Sequence, residues 1–214
     1  MEDLDTLGVL LSWADSFVRQ IEANGEENHA PLIWATYAQL YSDRGLPARI
    51  CAWMEDERCS PPFDLDVTSN PLQVTIARSR HWRFLMYVWL PPEPGSRPVN
   101  KAHDHSSYGY SLIHTGSCYV EREFELQNSA PPRIRRYGAP APGQVRTIEP
   151  ELLHAVDPAA TGGFSFILWG PRLRTTTTVV DVASGLAETH ESEHVDKLQT
   201  LLRAMRRAAL YRLK

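Results

Sequence analysis

Apolar residues near the start of the chain recur at steps of three and four, which is the period of one buried helix face. The first stripe runs over residues 7–21, and an asparagine and a glycine after it give a stop signal. Two further stripes predict helices over residues 31–43 and 47–57. A serine and two prolines then break the pattern, because proline removes a backbone donor and disfavours helix in the residue before it. We therefore expect residues 1–60 to form a helical segment packed on the remainder.

Beyond residue 72 apolar residues alternate with polar ones, the pattern of a half-buried strand. Two such runs, around Val74 and around Met86, are separated by a polar stretch typical of a hairpin connection. Further strands are predicted at residues 110–113, 117–126, 133–137, 144–148, 155–156, 164–169 and 175–182. Many short strands divided by Gly, Pro and Asn favour a small antiparallel barrel or sandwich over residues 61–190.

The last stretch, residues 191–214, carries an apolar stripe at helical spacing and predicts a C-terminal helix. The chain is thus expected to be mainly β, one compact domain with helices before and after the barrel. The stripes of the first and last helices are expected to pack into the core, and a homodimer seam is their functional alternative. Monomer and homodimer both stay open.

Composition narrows the class of partner. The chain has 214 residues, 43% of them hydrophobic, and a formal net charge of −4. This acidity gives no electrostatic reason to expect nucleic acid, and no apolar run reaches the length of a membrane span, so neither nucleic acid nor membrane is expected as partner. Its three cysteines lack CxxC spacing, which indicates free thiols in a reducing compartment. We expect a cytoplasmic protein that binds a small molecule.

A pair of histidines is the strongest candidate for chemistry. His103 and His105 are separated by one residue, and side chains two apart point to the same side of a strand. Neutral imidazoles favour zinc, copper, iron or nickel, and His154 is the best third ligand. Asp104, between the pair, then faces away from the metal and makes a structural hydrogen bond. The alternative is three ordinary surface or core histidines.

These residues carry a family resemblance. The run HDHSSYGYSLIHTG at residues 103–116, the turn at 143–150 and the sequence His-Ala-Val at 154–156 resemble the two cupin motifs. The form HDHxxxGxxxxxxG is similar to bacterial cysteine dioxygenase-type thiol dioxygenases, over about residues 72–190. The resemblance implies a cupin barrel, Fe(II) as cofactor, and use of O2 to oxidise a small thiol to a sulfinate.

The resemblance also implies a carboxylate-binding arginine, which it assigns to Arg78, with Arg80 as the fallback. Both arginines are alternatively solvent-facing residues of a basic stretch. Ordinary cupins add a glutamate ligand at a place that here reads Gly109 and Tyr110. Three neutral ligands would remain, and they would leave the charge of a divalent ion uncompensated until an anion such as a thiolate binds.

A second departure concerns the family's Ser-x-His-x-Tyr triad beside the metal. The matching positions here are Ser165, Ile167 and Trp169, so the histidine and tyrosine are replaced. Trp169 and Tyr110 are the candidate catalytic residues, and Tyr108 and Ser165 are candidates for substrate binding. The duller alternative is that these aromatic side chains pack in the core, since strand aromatics usually do.

The sequence therefore predicts an Fe(II)-dependent oxygenase, resembling cysteine dioxygenase, that oxidises a small, carboxylate-bearing thiol or amino-acid-like metabolite. Two alternatives stay open: an iron cupin that performs a different oxidation on a non-thiol metabolite, and a cupin that binds metal or ligand without catalysis. Outside the motif, His114 is expected to support the metal ligands or lie at the surface, and Cys118 to be a buried strand thiol.

Overall fold

The computed structural model describes residues 6–25, 28–55, 64–66, 71–127 and 130–191. The predicted C-terminal helix lies outside these ranges except for its first residue, which ends a strand. None of the described helices is long and apolar enough to cross a membrane.

Three helices precede the β structure, as predicted. They are α1 (Leu7–Ala23), α2 (His29–Ser42) and α3 (Leu46–Glu55), and their ends lie within two residues of the expected ones. Thr6 caps α1, because its hydroxyl accepts a hydrogen bond from the Val9 amide at 3.3 Å. The apolar stripe of α1 is buried, so the three- and four-residue steps in the sequence did mark a packed face.

Twelve strands follow within the described residues. They are β1 (Asp64–Asp66), β2 (Leu72–Arg78), β3 (Arg83–Trp89), β4 (Lys101–His103), β5 (Ser107–Gly116), β6 (Tyr119–Gln127), β7 (Ala130–Gly138), β8 (Val145–Ile148), β9 (His154–Pro158), β10 (Gly163–Arg172), β11 (Thr176–Asp181) and β12 (Ala187–Glu191). The short β1 and β12 were not predicted from sequence. The hairpin of β2 and β3 is confirmed by their antiparallel pairing.

The strands form two six-stranded sheets. The first sheet has the order β1-β2-β3-β10-β5-β8, and the second has the order β12-β11-β4-β9-β6-β7. Neighbouring strands pair antiparallel in both sheets. Two six-stranded antiparallel sheets preceded by three helices confirm the mainly β fold class predicted from the sequence.

The first sheet buries both of its faces. Its outer face packs on the helices: the ring of Phe84 lies 5.6 Å from Phe17 of α1 and 5.8 Å from Phe166 of β10. Its inner face meets the second sheet, where the ring of Trp89 lies 4.6 Å from that of Tyr119. Because side chains alternate along each strand, the inward-facing residues of both sheets meet in the space between them, where a site can form.

Candidate metal centre

The three histidines of the sequence motif meet between the two sheets. His103 ends β4 and pairs in register with His154, the first residue of β9. The candidate ligand atoms of His103, His105 and His154 all lie within 4.8 Å of one another. The Nε2 atoms of His105 and His154 are 2.8 Å apart. Convergence of three imidazoles from two chain segments is the geometry expected of a metal site.

The local backbone differs from the expected one. We predicted a regular strand through both histidines of the pair, and this is wrong, because β4 ends at His103. His105 is held by another contact: its amide donates to the carbonyl oxygen of Pro150 at 3.0 Å. That bond joins the segment after β4 to the loop before His154, so His105 reaches the cluster without strand geometry.

Burial keeps the imidazoles neutral. Desolvation, with His154 as a further cause, lowers the pKa of His103 from 6.5 to about 4. Desolvation, followed by the positive charge of Arg146, lowers the pKa of His154 to about 4 as well. The pKa of His105 also lies well below 6.5, first because of burial and then because of the two neighbouring histidines. All three side chains are therefore in the form that binds metals.

The orientation of His154 supports a metal at this place. Its Nδ1 atom lies 2.5 Å from Oε1 of Glu121, so Nδ1 carries the proton and donates to the carboxylate. The lone pair of Nε2 then faces Nε2 of His105 at 2.8 Å, so these two nitrogens either share a hydrogen bond or both bind one cation. These donors therefore fit a divalent transition metal.

Sequence reasoning missed Glu121, which is part of a buried charge network. Arg146 forms an ion pair with Glu121, and its Nη2 atom lies 2.8 Å from Oε1 of Glu123. Arg136 contacts the same oxygen of Glu123 at 3.2 Å. A signal existed in the sequence, because Tyr119, Glu121 and Glu123 alternate along β6 and so share the inner face.

Trp169 is the predicted site residue that the structure brings to the histidines. Its ring lies 4.7 Å from the ring of His105. Its Nε1 atom donates a hydrogen bond to the hydroxyl oxygen of Tyr87 at 3.1 Å. Tyr87 of β3 is a second residue that the sequence reasoning missed, although strand alternation separates it from Met86, which faces the helices. The indole thus lies beside the cluster, and a phenol holds the indole by a hydrogen bond.

Tyr108 and Tyr110 lie on the other face of the first sheet. Gly109, between them, faces Trp169, so alternation turns both tyrosines toward the helices. The hydroxyl of Tyr37 donates to the backbone oxygen of Tyr110 at 2.6 Å. The structure therefore does not bring these two tyrosines together with the histidines, and packing against the helices accounts for their burial.

Ser165 is on the inner face but is engaged elsewhere. It is fully buried, and its hydroxyl accepts a hydrogen bond from Nε1 of Trp89 at 2.9 Å. The sequence predicted that Ser165 binds substrate, whereas in the structure its hydroxyl accepts the hydrogen bond of the buried Trp89 indole.

The two candidate arginines are exposed. Arg80 lies in the turn between β2 and β3, and Arg78 is the last residue of β2. In the antiparallel register, Arg78 of β2 lies opposite Arg83 of β3, and Arg83 lies opposite Trp169 of β10. Cross-strand partners share a sheet face, so Arg78 lies on the same face as Trp169, two strands away.

The expectation for Asp104 is confirmed. Its Oδ1 accepts from the amide of Thr178 at 2.7 Å, and its Oδ2 forms an ion pair with Arg174 at 3.0 Å. The carboxylate therefore fixes the neighbouring strand β11, while the histidines on either side of it form the cluster.

His114 and Cys118 have structural surroundings. The expectation that His114 supports the metal ligands or lies at the surface is wrong: it is fully buried, and its Nε2 atom lies 2.8 Å from the carbonyl oxygen of Leu40 in α2. Cys118 is buried, as expected, between β5 and β6, and its Sγ donates to the carbonyl oxygen of Phe164 at 3.1 Å. Burial raises the pKa of this thiol to about 12.

Three solved structures illustrate what the chain is similar to. KdgF from Halomonas sp. aligns over 51% of this chain and 88% of its own, at 14% identity and a TM-score of 0.37. The DMSP lyase DddQ from Ruegeria pomeroyi aligns over 54% of this chain and 50% of its own, at 18% identity and a TM-score of 0.32. Oxalate decarboxylase from Bacillus subtilis aligns over 52% of this chain and 28% of its own, at 8% identity and a TM-score of 0.35.

No protein-family model and no curated protein matches the chain. It covers 50% of DddQ and 28% of oxalate decarboxylase, so it spans only part of either protein. Identities this low transfer no activity, and the chemistry of the site rests on its own residues.

Proposed function

We propose that this chain is a mononuclear metal-dependent oxygenase that uses Fe(II) and O2 to oxidise a small, carboxylate-bearing thiol. The observation that carries the proposal is the convergence of three neutral imidazoles, from His103, His105 and His154, within 4.8 Å. Three histidines without a carboxylate ligand leave two positive charges on a divalent ion, and the burial of the site makes an anionic substrate the natural counterion.

When bound, Fe(II) would supply open coordination positions and mediate electron transfer from the thiol sulfur, which is oxidised to the sulfinate, to O2, whose two atoms both enter the product. The protein itself orients the substrate and excludes water from the site. Trp169 covers one side of the cluster with its ring, and its N–H is already committed to Tyr87 at 3.1 Å. The Tyr87 hydroxyl oxygen accepts that N–H and so holds the indole in its position beside His105.

Arg78 is proposed as the group that binds the substrate carboxylate. Its register with Arg83 and Trp169 places its strand position on the face that lines the cluster. An arginine suits this task because its planar guanidinium binds a carboxylate through two parallel hydrogen bonds. Arg80 lies in the turn beyond the strand and makes a suitable control.

Metal analysis and oxygen uptake test the proposal. The purified protein is loaded with Fe(II) without oxygen, and oxygen consumption is measured with cysteine, 3-mercaptopropionate and cysteamine. We expect one iron per chain and faster uptake with a carboxylate-bearing thiol than with cysteamine. Arg78→Ala should weaken the binding of carboxylate-bearing thiols more than the binding of cysteamine. Arg80→Ala should affect both kinds of substrate equally. Binding of no iron, or only of zinc without oxygen uptake, would overturn the proposal.

One observation favours a second candidate, the oxidation of a non-thiol metabolite. An indole replaces the phenol that the thiol dioxygenases place on this strand, and it lies 4.7 Å from His105. An indole fills more volume and donates through one nitrogen only. Iron binding without uptake on any of the thiols would move the assignment to this candidate.

A further inference from the structure

Arg174 lies in the connection between β10 and β11, and its guanidinium contacts both segments that carry the histidines. Its Nη2 atom lies 2.6 Å from the carbonyl oxygen of His105 and 2.7 Å from that of Pro150. The same nitrogen lies 3.0 Å from Oδ2 of Asp104. One nitrogen thus faces three acceptors.

These acceptors belong to the two parts of the chain that must meet to form the cluster. Asp104 and His105 belong to the histidine pair, and Pro150 lies in the loop that leads to His154. We infer that Arg174 is a positioning residue for the metal centre, which holds the His103–His105 segment and the loop before His154 at the separation that a metal needs. The inference rests on the metal-binding part of the proposed function.

The backbone around Arg174 is itself fixed against the histidine pair. The amides of Leu173 and Arg174 both donate to the carbonyl oxygen of Ser106, at 2.7 Å and 3.1 Å. The second carboxylate oxygen of Asp104 is held by the amide of Thr178 at 2.7 Å. The guanidinium is therefore anchored at its base and meets acceptors that are themselves fixed, which is the condition for precise placement of ligands.

The contacts also explain why a cationic donor is required at this place. The carbonyl oxygens of His105 and Pro150 point toward the same nitrogen, and without a donor between them their partial negative charges would repel. A cation is needed as well, because Asp104 is a buried carboxylate. Lysine keeps the charge and several donors on one nitrogen, but its ammonium group stands on a flexible stem and is expected to hold the acceptors less firmly.

Removal of this contact is expected to loosen the separation of His105 and His154 and so to weaken metal binding more than it weakens the fold. Groups that orient metal ligands from outside the coordination shell typically change metal affinity by about 10–100-fold. The direct bond from the His105 amide to Pro150 remains in such a variant, so the two segments stay in contact.

Arg122 provides a matched control. Its guanidinium also bridges a backbone carbonyl and a carboxylate: Nη2 lies 2.5 Å from the oxygen of Val99 and 2.9 Å from Oδ2 of Asp157. Its side chain is 15% exposed, against 31% for Arg174. Val99 lies before β4 and Asp157 lies near the end of β9, so Arg122 joins the same two strands but contacts neither the histidines nor the loop before His154. A purely structural role for Arg174 would predict equal behaviour of the two arginines.

The test titrates the metal-free full chain with Co(II), whose visible absorption reports its coordination. Circular dichroism and thermal unfolding are recorded for each variant first. We expect Arg174→Ala to raise the dissociation constant about 10–100-fold, Arg174→Lys to raise it by less, and Arg122→Ala to leave it within about 2-fold of wild type even if its melting temperature falls. Should Arg174→Ala fail to fold, Arg174→Lys with an altered Co(II) spectrum carries the test.

The outcomes separate the two proposals. A wild-type chain that binds no Co(II) and no iron would overturn the proposed function together with this inference. Normal binding by wild type and by both Arg174 variants would overturn the inference alone. An equal loss of affinity in Arg122→Ala would also overturn it, because affinity would then simply follow stability.

Discussion

The indole of Trp169 lies directly over Gly109, in the adjacent strand of the first sheet. The two residues are cross-strand partners, and a Cβ added at Gly109 would stand 2.7 Å from Cε3 of the ring. The position that the resemblance to cupins assigns to a glutamate ligand is therefore filled by a ring from the next strand. Trp169 occupies its position beside His105 because residue 109 has no side chain.

The first prediction follows from this contact. Gly109→Ala should destabilise the protein by about 1–3 kcal/mol, because the methyl group must displace a buried ring. Urea unfolding of the metal-free protein measures the loss. Gly138→Ala is the control, since a Cβ there meets nothing within 4 Å. The loss should shrink when Gly109→Ala is combined with Trp169→Leu, and equal losses in both backgrounds would contradict the clash.

The second prediction concerns the third ligand. His154→Ala should reduce iron content from about one equivalent to near zero and leave the far-ultraviolet circular dichroism unchanged, because two imidazoles hold a divalent ion poorly. Elemental analysis measures the iron content per chain. His81→Ala, at an exposed turn residue, should retain full loading. If His154→Ala kept its iron, the third ligand would be another residue.

The third prediction concerns the carboxylate behind His154. Glu121→Gln keeps the size of the side chain but removes the charge that orients and polarises the imidazole, so metal affinity should fall about 10–100-fold. Arg146 retains a partner in Glu123 at 2.8 Å, which limits the loss of stability. Titration with Co(II) measures the affinity. Glu125→Gln, at an exposed position of the same strand, should bind like wild type, and an equal effect there would refute a specific role for Glu121.

The fourth prediction is a pH dependence of the metal-free protein. The pKa of His154 is about 4 in the folded chain against 6.5 for an ordinary histidine, so between these pH values the unfolded chain binds the proton more tightly. Stability is therefore fully present above about pH 6.5 and falls toward pH 4, by about 3 kcal/mol for one such imidazole. Urea unfolding at several pH values, with a chelator present, measures it. His154→Ala should show a shallower fall, and a wild-type stability that is constant from pH 7 to 4.5 would contradict the buried neutral state.

The fifth prediction concerns Cys118. Burial raises the pKa of its thiol to about 12, so at pH 8 almost none of it is thiolate. In the folded protein iodoacetamide should modify the peptide that contains Cys118 far more slowly than the one that contains the part-exposed Cys51. Mass spectrometry before and after denaturation with urea provides the comparison. Rapid labelling of Cys118 under native conditions would show that the strands β5 and β6 open locally.

The sequence was most informative where one periodic pattern ran uninterrupted. Helical stripes and strand alternation predicted the three helices and the main strands, and the spacing of His103, His105 and His154 predicted a cluster that the structure bears out. The short β1 and β12 escaped prediction because three to five residues carry too little pattern.

The residues that the sequence reasoning missed are those that meet the site from distant strands. Strand alternation indicates the inner face for Glu121 and Tyr87, but only the order in which the strands pair brings Glu121 to His154 and Tyr87 to Trp169. The sequence could likewise not decide which face Tyr108 and Tyr110 occupy. One decisive clue was available in Gly109, because a glycine inside a strand marks a close approach by another group.

Strand β5 separates the helical layer from the candidate metal centre. One surface of it carries Tyr110, whose backbone oxygen is bound by Tyr37 of the helical layer, and the other carries Gly109, on which the site tryptophan rests. Removing the N-terminal helices to obtain a smaller catalytic fragment would expose the face of β5 that packs on them. Loss of activity in such a fragment would then report a displaced Trp169, although no atom of the helices enters the coordination sphere.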